Sequence, residues 1–472
     1  MELPLYQQLA RHLEHAMQTG SLQPGARLPS VRRLAQQHRV SISTALQVYR
    51  QLENQRLIEA RPKSGYFVVQ PTRAHIPAVV GQAENVDMQE RVLRYNRIRR
   101  SCHVRFDVAI GELSLYPAQK LQTIGCQILR RHPELISSYN VGSTGYLPLR
   151  EQIARRLLDA GCTASPDDLL ITNGCTEALN LALRALTKPG DTVAVESPVY
   201  YGLLEILGSL GLRALEIPTS VEHGISIDAL DLVTRPDANP QNKIAAVVTV
   251  PNFHNPLGTL MSDENKKRLV ELLAARNIPL IEDDIYGELQ FGLQRPFSLK
   301  SWDTKGNVIL CGSASKVLAP NLRIGWILGG RWQERIEWLK FTQSIHTAEL
   351  PQAIIAEVMR SGSYEHHMRK LRNQFKQQTK QTVTAILRHF PAGTQVLMPQ
   401  GGFLAWVELP PQVNAWQVFE QAAQDGIGIT PGGMFSTALR FENFVRLSCG
   451  NPWIPKIEQA IQRLGEIVAK AL

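Results

Sequence analysis

Ser313-Ala314-Ser315-Lys316, followed seven residues after the lysine by Arg323 in Arg323-Ile324-Gly325-Trp326, is the stretch on which the reading of this chain turns. It comes directly after the apolar run 307 to 311. A lysine just beyond a buried strand has an amine that can form a Schiff base with an aldehyde. Two hydroxyls, Ser313 and Ser315, together with Arg323 make a pocket for a phosphate dianion. Taken alone, the spacing is equally compatible with a surface lysine after a strand.

Outward from Lys316, further apolar runs at 192 to 196, 244 to 250 and 278 to 282 alternate with helical patterns, each run leading into Gly, Pro, Asp or Ser. This alternation predicts an α/β body with a mostly parallel sheet and ligand groups gathered at strand ends. Asp283, in Glu282-Asp283-Asp284-Ile285-Tyr286, closes one run, and a carboxylate there can hold a pyridinium N–H. Tyr286 and Asn255, the latter in Asn252-Phe253-His254-Asn255-Pro256-Leu257-Gly258, can hydrogen-bond a ring oxygen. Gly174-Cys175-Thr176 follows Leu169-Leu170-Ile171-Thr172 and opens a helix, so its amides can cradle phosphate. Tyr200, in Ser197-Pro198-Val199-Tyr200-Tyr201, suits stacking on a ring. Singly, Asp283 reads as well as a cap, Asn255 as a turn and Tyr200 as core.

Together, the ordered stations Gly174-Cys175-Thr176, Tyr200, Asn255, Asp283, Tyr286, Lys316, Arg323 and Arg446 resemble the class I/II aminotransferases of fold type I. The resemblance covers roughly 106–472. It implies pyridoxal 5'-phosphate (PLP) on Lys316 and a smaller C-terminal α/β subdomain. It also implies that Tyr139 contacts phosphate across a dimer interface, and that Arg446, in Val445-Arg446-Leu447-Ser448, takes a ligand carboxylate with its bidentate fork. Two positions depart from the common pattern. Cys175 stands where serine is frequent, which matters little if only its amide is used. Leu257 replaces the threonine of Asn-Pro-Thr-Gly.

The first seventy residues carry a different signature. Leu5, Leu9, Leu13 and Met17 recur at helical spacing. Gly20 and Pro24-Gly25 end that helix, Ser30 caps a second with Val31, Leu34 and Ala35 inward, and Ser41 caps a third through about Asn54. In the third, Ala45, Val48, Tyr49 and Leu52 form the buried stripe, with Ser43, Thr44, Gln47 and Arg50 opposite. Runs 57 to 60 and 66 to 69 flank Arg61-Pro62-Lys63-Ser64-Gly65 as a hairpin with a basic tip. This is a winged helix-turn-helix, and in Leu28-Pro29-Ser30-Val31-Arg32, Val40-Ser41-Ile42-Ser43-Thr44 and Ser64-Gly65-Tyr66-Phe67-Val68 it resembles the GntR-type DNA-binding domain. The resemblance implies a third helix in the major groove with Ser41, Ser43, Thr44, Gln47 and Arg50 near bases, while Arg32, Lys63 and Gly65 hold phosphates. Ile42 and Leu46 stand where some members place arginine.

Charge agrees with that division. Residues 1 to 75 hold ten Arg or Lys against four Asp or Glu, so +6 of the chain's formal +9 comes from under a sixth of its 472 residues, an electrostatic footprint for a polyanion. Segment 71–105, with Pro71, Pro77 and Gly81 ahead of six arginines from Arg91 to Arg105, reads as a tether with a basic end. That end could meet phosphates or acidic surface of the body. The expected domains are therefore 1–70, 71–105 and 106–472. Hydrophobic residues at 44% and charged residues at 20% are those of a globular protein and argue against disorder. No run approaches the roughly 18 apolar residues of a membrane span, and Glu2, His12, Glu14 and His15 occupy what would be a signal peptide, so a cytoplasmic location is expected. Six cysteines, at 102, 126, 162, 175, 311 and 449, show neither disulfide nor metal spacing.

A GntR-type head on an aminotransferase-like body resembles the MocR-type regulators along almost the whole chain. The resemblance implies a homodimeric transcriptional regulator that binds a double-stranded DNA operator and responds to PLP or to an amino-acid or amine effector. The alternative is a PLP-dependent aminotransferase that carries a DNA-binding head.

Overall fold

The computed structural model describes residues 5–18, 22, 26–38, 40–54, 57–61, 65–68, 80–138, 144–235, 243–438 and 440–472. The chain divides into two compact units, Met1–His75 and Ile76–Leu472.

In the first unit, helices Leu5–Gln18, Val31–Gln37 and Ile42–Asn54 precede antiparallel strands Ile58–Arg61 and Gly65–Val68. The second helix starts where expected because Ser30 Oγ accepts from Arg33 N at 3.3 Å. The third starts likewise, Ser41 Oγ accepting from Thr44 N at 3.0 Å. Each bond satisfies an amide that the first helical turn leaves without a partner. Ala45, Val48, Tyr49 and Leu52 are fully buried against Leu9, Leu13, Leu34 and Ile58. The side chains of Leu5 and Met17 lie outside the described residues, as does Lys63 at the hairpin tip. Tyr49 OH donates to Pro29 O at 2.6 Å, tying the third helix to the turn before the second. Tyr49→Phe is expected to lower the stability of this unit by about 1 kcal/mol, read by chemical denaturation, since it strands a half-buried carbonyl.

The second unit is organised around one large sheet. Its strands run in the order Glu84–Asn85, Arg213–Ser220, Thr192–Ser197, Ile244–Thr249, Leu280–Asp283, Val308–Ser313, Gly325–Leu328 and Leu169–Thr172. The five from Arg213–Ser220 to Val308–Ser313 are parallel, whereas Gly325–Leu328 runs antiparallel to both its neighbours. Strands such as Val308–Ser313 are buried along their length, which is why they read as unbroken apolar runs. A smaller sheet, Gln395–Val396, Leu404–Glu408, Phe444–Ser448 and Thr430–Pro431, builds the C-terminal subdomain.

Residues 80–105, read from sequence within a tether, are folded onto this unit. Glu84–Asn85 pairs with the sheet edge, and Val104–Arg105 pairs in parallel with Ile427–Gly428. Helix Gln89–Arg99 buries Val92 and Tyr95. Its arginines meet acceptors of the body: Arg91 donates to the carbonyls of Gly433 and Ser436 at 2.7 Å, and Arg94 pairs with Glu420. The helix has only those two buried side chains, too weak an apolar stripe to separate it from a linker by pattern. Of the segment expected as tether, 71–79 lies outside the described residues.

Candidate functional site

The carboxyl ends of the parallel strands surround a cavity of about 300 Å³. Cys175, Thr176, Tyr200, Asn255, Asp283, Tyr286, Ser315, Lys316, Arg323 and Arg446 all line it. Residues spread over more than 250 positions of sequence thus meet on one hollow. Tyr139 lies outside the described residues.

One corner is built for an anion. Ser313 ends its strand; its Oγ donates to Ile324 O at 3.0 Å and lies 2.8 Å from the Ser315 hydroxyl. Arg323 takes a left-handed backbone, φ 54°, and its Nη1 reaches Ser315 Oγ at 3.3 Å. Opposite stands the N-terminus of helix Gly174–Leu186. A Cβ on Gly174, at φ +77°, would lie 2.4 Å from Arg323 Nη2, and a Cβ on Gly325 would lie 2.5 Å from the Gly174 carbonyl carbon. Glycine at both positions lets helix end, strand and guanidinium converge. Glu177 braces the helix start, accepting from Asn173 N at 2.6 Å and from the buried Lys340 Nζ at 2.7 Å.

At the end of its strand the buried Asp283 carboxyl accepts from Cys175 Sγ at 3.3 Å and from Ile285 N at 3.2 Å. Burial pushes its pKa up to about 6, so it is still a carboxylate at neutral pH. The same burial, aided by Asp283, holds the Cys175 thiol protonated. Cys175 thus uses its side chain here, beyond the amide that sequence reasoning credited.

Lys316 follows Ser313 by three residues, and its Nζ donates to Ala109 O at 2.6 Å. Burial, with Arg446 close by, pulls its pKa down to about 8. The ammonium also stands 6.0 Å from the Tyr286 ring centre. Tyr286 OH and Asn255 Nδ2 are 3.5 Å apart, long for a hydrogen bond, so both retain capacity for a third group. Tyr200 caps helix Tyr201–Ser209 and lies ring to ring with Tyr201 at 5.3 Å.

Arg446, on strand Phe444–Ser448 of the smaller sheet, is 1% exposed. Its Nη2 donates to Asp107 O and, at 2.9 Å, to Thr430 Oγ1, while Nε has no acceptor. A buried donor left unmade is costly unless a ligand completes it. The site also contains residues that sequence reasoning did not select: Arg99, Asp107, Val108, Ala109, Ile110 and Tyr201. Asp107 is locked by Arg105, Nε to Oδ1 at 2.7 Å and Nη2 to Oδ2 at 2.9 Å. Nothing in the local pattern of 99 to 110 marks these positions, because the pairing of Val104–Arg105 with Ile427–Gly428 carries them there.

The donor set fits a phosphorylated pyridine aldehyde: an anion corner lined by glycines, a buried carboxylate for a ring nitrogen, two polar groups for a ring oxygen and an amine of lowered pKa. Among the described residues no group of His, Cys, Asp and Glu could hold a metal ion, and no helix is long and apolar enough to cross a membrane.

This combination of sheet, small domain and lysine pocket defines the aminotransferase class I and II family, whose model matches residues 139–464, and the bacterial regulatory proteins of the gntR family match residues 5–68. The kynurenine aminotransferase of Pyrococcus horikoshii, solved in complex with PMP, superposes with a TM-score of 0.75 at 27% identity, covering 82% of this chain and 95% of that one. LysN, the alpha-aminoadipate aminotransferase of Thermus thermophilus, complexed with N-(5'-phosphopyridoxyl)-L-leucine, gives 0.73 and 27%, covering 80% and 94%. Both resemble the body. The whole chain is 36% identical to the uncharacterized HTH-type transcriptional regulator YjiR of Escherichia coli K12, over 99% of each. The chain belongs to the MocR-type group, in which a GntR-type head is fused to a class I/II aminotransferase body.

Proposed function

We propose that the chain is a DNA-binding transcriptional regulator whose body holds PLP on Lys316 and uses it to sense an amino-acid or amine effector. The observation that carries the reading is the exposed polar face of the head: Ser41, Ser43, Gln47 and Arg50 beside the exposed Arg32, in a unit of strongly basic sequence. Catalysis has no use for such a face. A helix presenting short polar side chains at its N-terminus suits the major groove, and Arg32 and the Gly65 backbone suit phosphates.

In the body, Ser313, Ser315, Arg323 and the amides of Gly174, Cys175 and Thr176 would take the phosphate. Asp283 would hold the ring nitrogen, Asn255 and Tyr286 the ring oxygen, and Tyr200 the ring face, with Lys316 as the covalent anchor. The cofactor supplies a carbonyl that exchanges amines and an electron sink. Arg446 orients the carboxylate of an incoming amino acid, and Lys316, once released as a neutral amine, can carry a proton at Nζ. An effector shifts DNA affinity only through a difference in its binding to two arrangements of the protein. Homodimers of the chain would match a two-fold operator.

The test is DNA affinity on a selected operator, with and without PLP and a panel of amines, beside keto-acid assays. Operator affinity that changes with cofactor or amine is expected, and Arg32→Ala should weaken binding about tenfold irrespective of sequence. Equal affinity under all conditions sinks the sensor reading. Rapid keto-acid release with unaltered DNA binding promotes the aminotransferase alternative.

A further inference from the structure

Three guanidinium groups line the cavity, and two have evident work. Arg323 belongs to the phosphate corner through Ser315. Arg446 is buried beside Asn255, Thr430 and the Asp107 carbonyl. Arg99 is placed differently: it is the last residue of helix Gln89–Arg99, and its side chain is 26% exposed. Its neighbours are the Tyr95 ring, 5.3 Å from its guanidinium carbon, and Asp107 Oδ2 at 3.5 Å. That carboxylate already gives both oxygens to Arg105 at 2.7 and 2.9 Å, so Arg99 holds only its outer edge.

The charge balance of the cavity wall makes this position informative. Three arginines and Lys316 face two carboxylates, Asp107 and Asp283, and both carboxylates are committed, one to Arg105 and one to Cys175 and the Ile285 amide. The phosphate of the cofactor answers Arg323, and the carboxylate of an amino acid answers Arg446. A ligand with one carboxylate leaves the Arg99 side of the wall net positive. A second anionic group on the ligand completes it, and guanidinium presents the planar fork such a group needs.

We propose that Arg99 receives the distal anionic group of the effector, so that the ligand class of this pocket is an acidic, dicarboxylic amino acid. The proposal rests on the reading of Lys316 and Arg446 given above and adds the identity of the ligand's far end. Arg99 is then the specificity-determining residue. It also sits on the first helix of the body after segment 69–79.

The experiment is calorimetric titration of PLP-loaded wild-type protein with L-aspartate, L-glutamate and L-2-aminoadipate, each against its near-isosteric neutral amide, L-asparagine, L-glutamine and L-homoglutamine, and the same titrations on Arg99→Gln and Arg99→Lys. Cofactor absorbance is followed in parallel. One acid should bind about tenfold or more tightly than its neutral partner, the return on a charge-assisted bond over an unmade one. That advantage should fall to within about threefold in Arg99→Gln and persist in part in Arg99→Lys, which keeps the charge and loses the fork. No acid preference in wild type overturns the proposal without any variant, and a preference that survives Arg99→Gln overturns it too. If no amine alters the cofactor spectrum, the sensing chemistry fails, yet an acid preference erased by Arg99→Gln would still uphold Arg99. The two failures are thereby distinct.

Discussion

Lys316→Ala is expected to abolish the visible absorbance of lysine-linked PLP and, with it, every effect of amines on DNA affinity, while operator binding by the head persists. No neighbouring residue can substitute, because Lys316 is the one amine that lines the cavity among the described residues. Absorbance of the loaded protein and anisotropy of labelled operator measure the two effects. The wild-type lysine also predicts a pH dependence. Burial disfavours its ammonium and brings the pKa down to about 8 from the ordinary lysine value of 10.5. Below pH 8 the group is mostly charged and non-nucleophilic, and above it mostly neutral. Capture of PLP by cofactor-free protein should accordingly accelerate as pH rises through 8 and level off at about 9, about 2.5 units earlier than for an exposed lysine. A rate still climbing steeply at pH 10 would contradict this.

The second large effect is expected from one methyl group. Gly325→Ala places a Cβ 2.5 Å from the Gly174 carbonyl carbon, 2.8 Å from its oxygen and 2.9 Å from Cys175 N. All three are backbone atoms, so no rotamer change relieves the clash. Strand Gly325–Leu328 or the start of helix Gly174–Leu186 must move. Overpacking of this kind costs about 1–3 kcal/mol, and here it also opens the anion corner between Gly174 and Arg323. Thermal melts with and without PLP separate the two consequences. The cofactor-free protein should melt lower, and the rise in Tm that PLP gives wild type should shrink, since that rise tracks ligand affinity. A normal PLP shift on a destabilised protein would show that the corner tolerates the displacement.

Much of this site was legible because strand ends announce themselves. Asp283 and Ser313 each terminate a buried apolar run, and Lys316 and Arg323 stand at fixed spacing from one of them, so a linear pattern carried the geometry. The third helix of the head was legible for the same reason, its stripe Ala45, Val48, Tyr49 and Leu52 being buried as the period required. Arg99, Asp107 and Ala109 were not. Their place in the cavity depends on contacts with residues more than 300 positions away, such as Tyr95 OH with Thr430 Oγ1 at 2.9 Å. Single-sequence periodicity has no access to such pairings. Cys175 shows an intermediate case: its position was found, whereas its thiol bond to Asp283 appears only when the start of helix Gly174–Leu186 is packed across the end of strand Leu280–Asp283.

The packing of residues 80–105 onto the second unit bears on how such a chain could be assembled by recombination. A crossover at 106 would strip the body of an edge strand, of Arg99 and of the Arg105 fork on Asp107, leaving a carboxylate buried without its counter-ion. A crossover within 69–79 spares all of these. Foreign heads grafted there would inherit an intact pocket, so new operators could be tried against an unchanged chemistry.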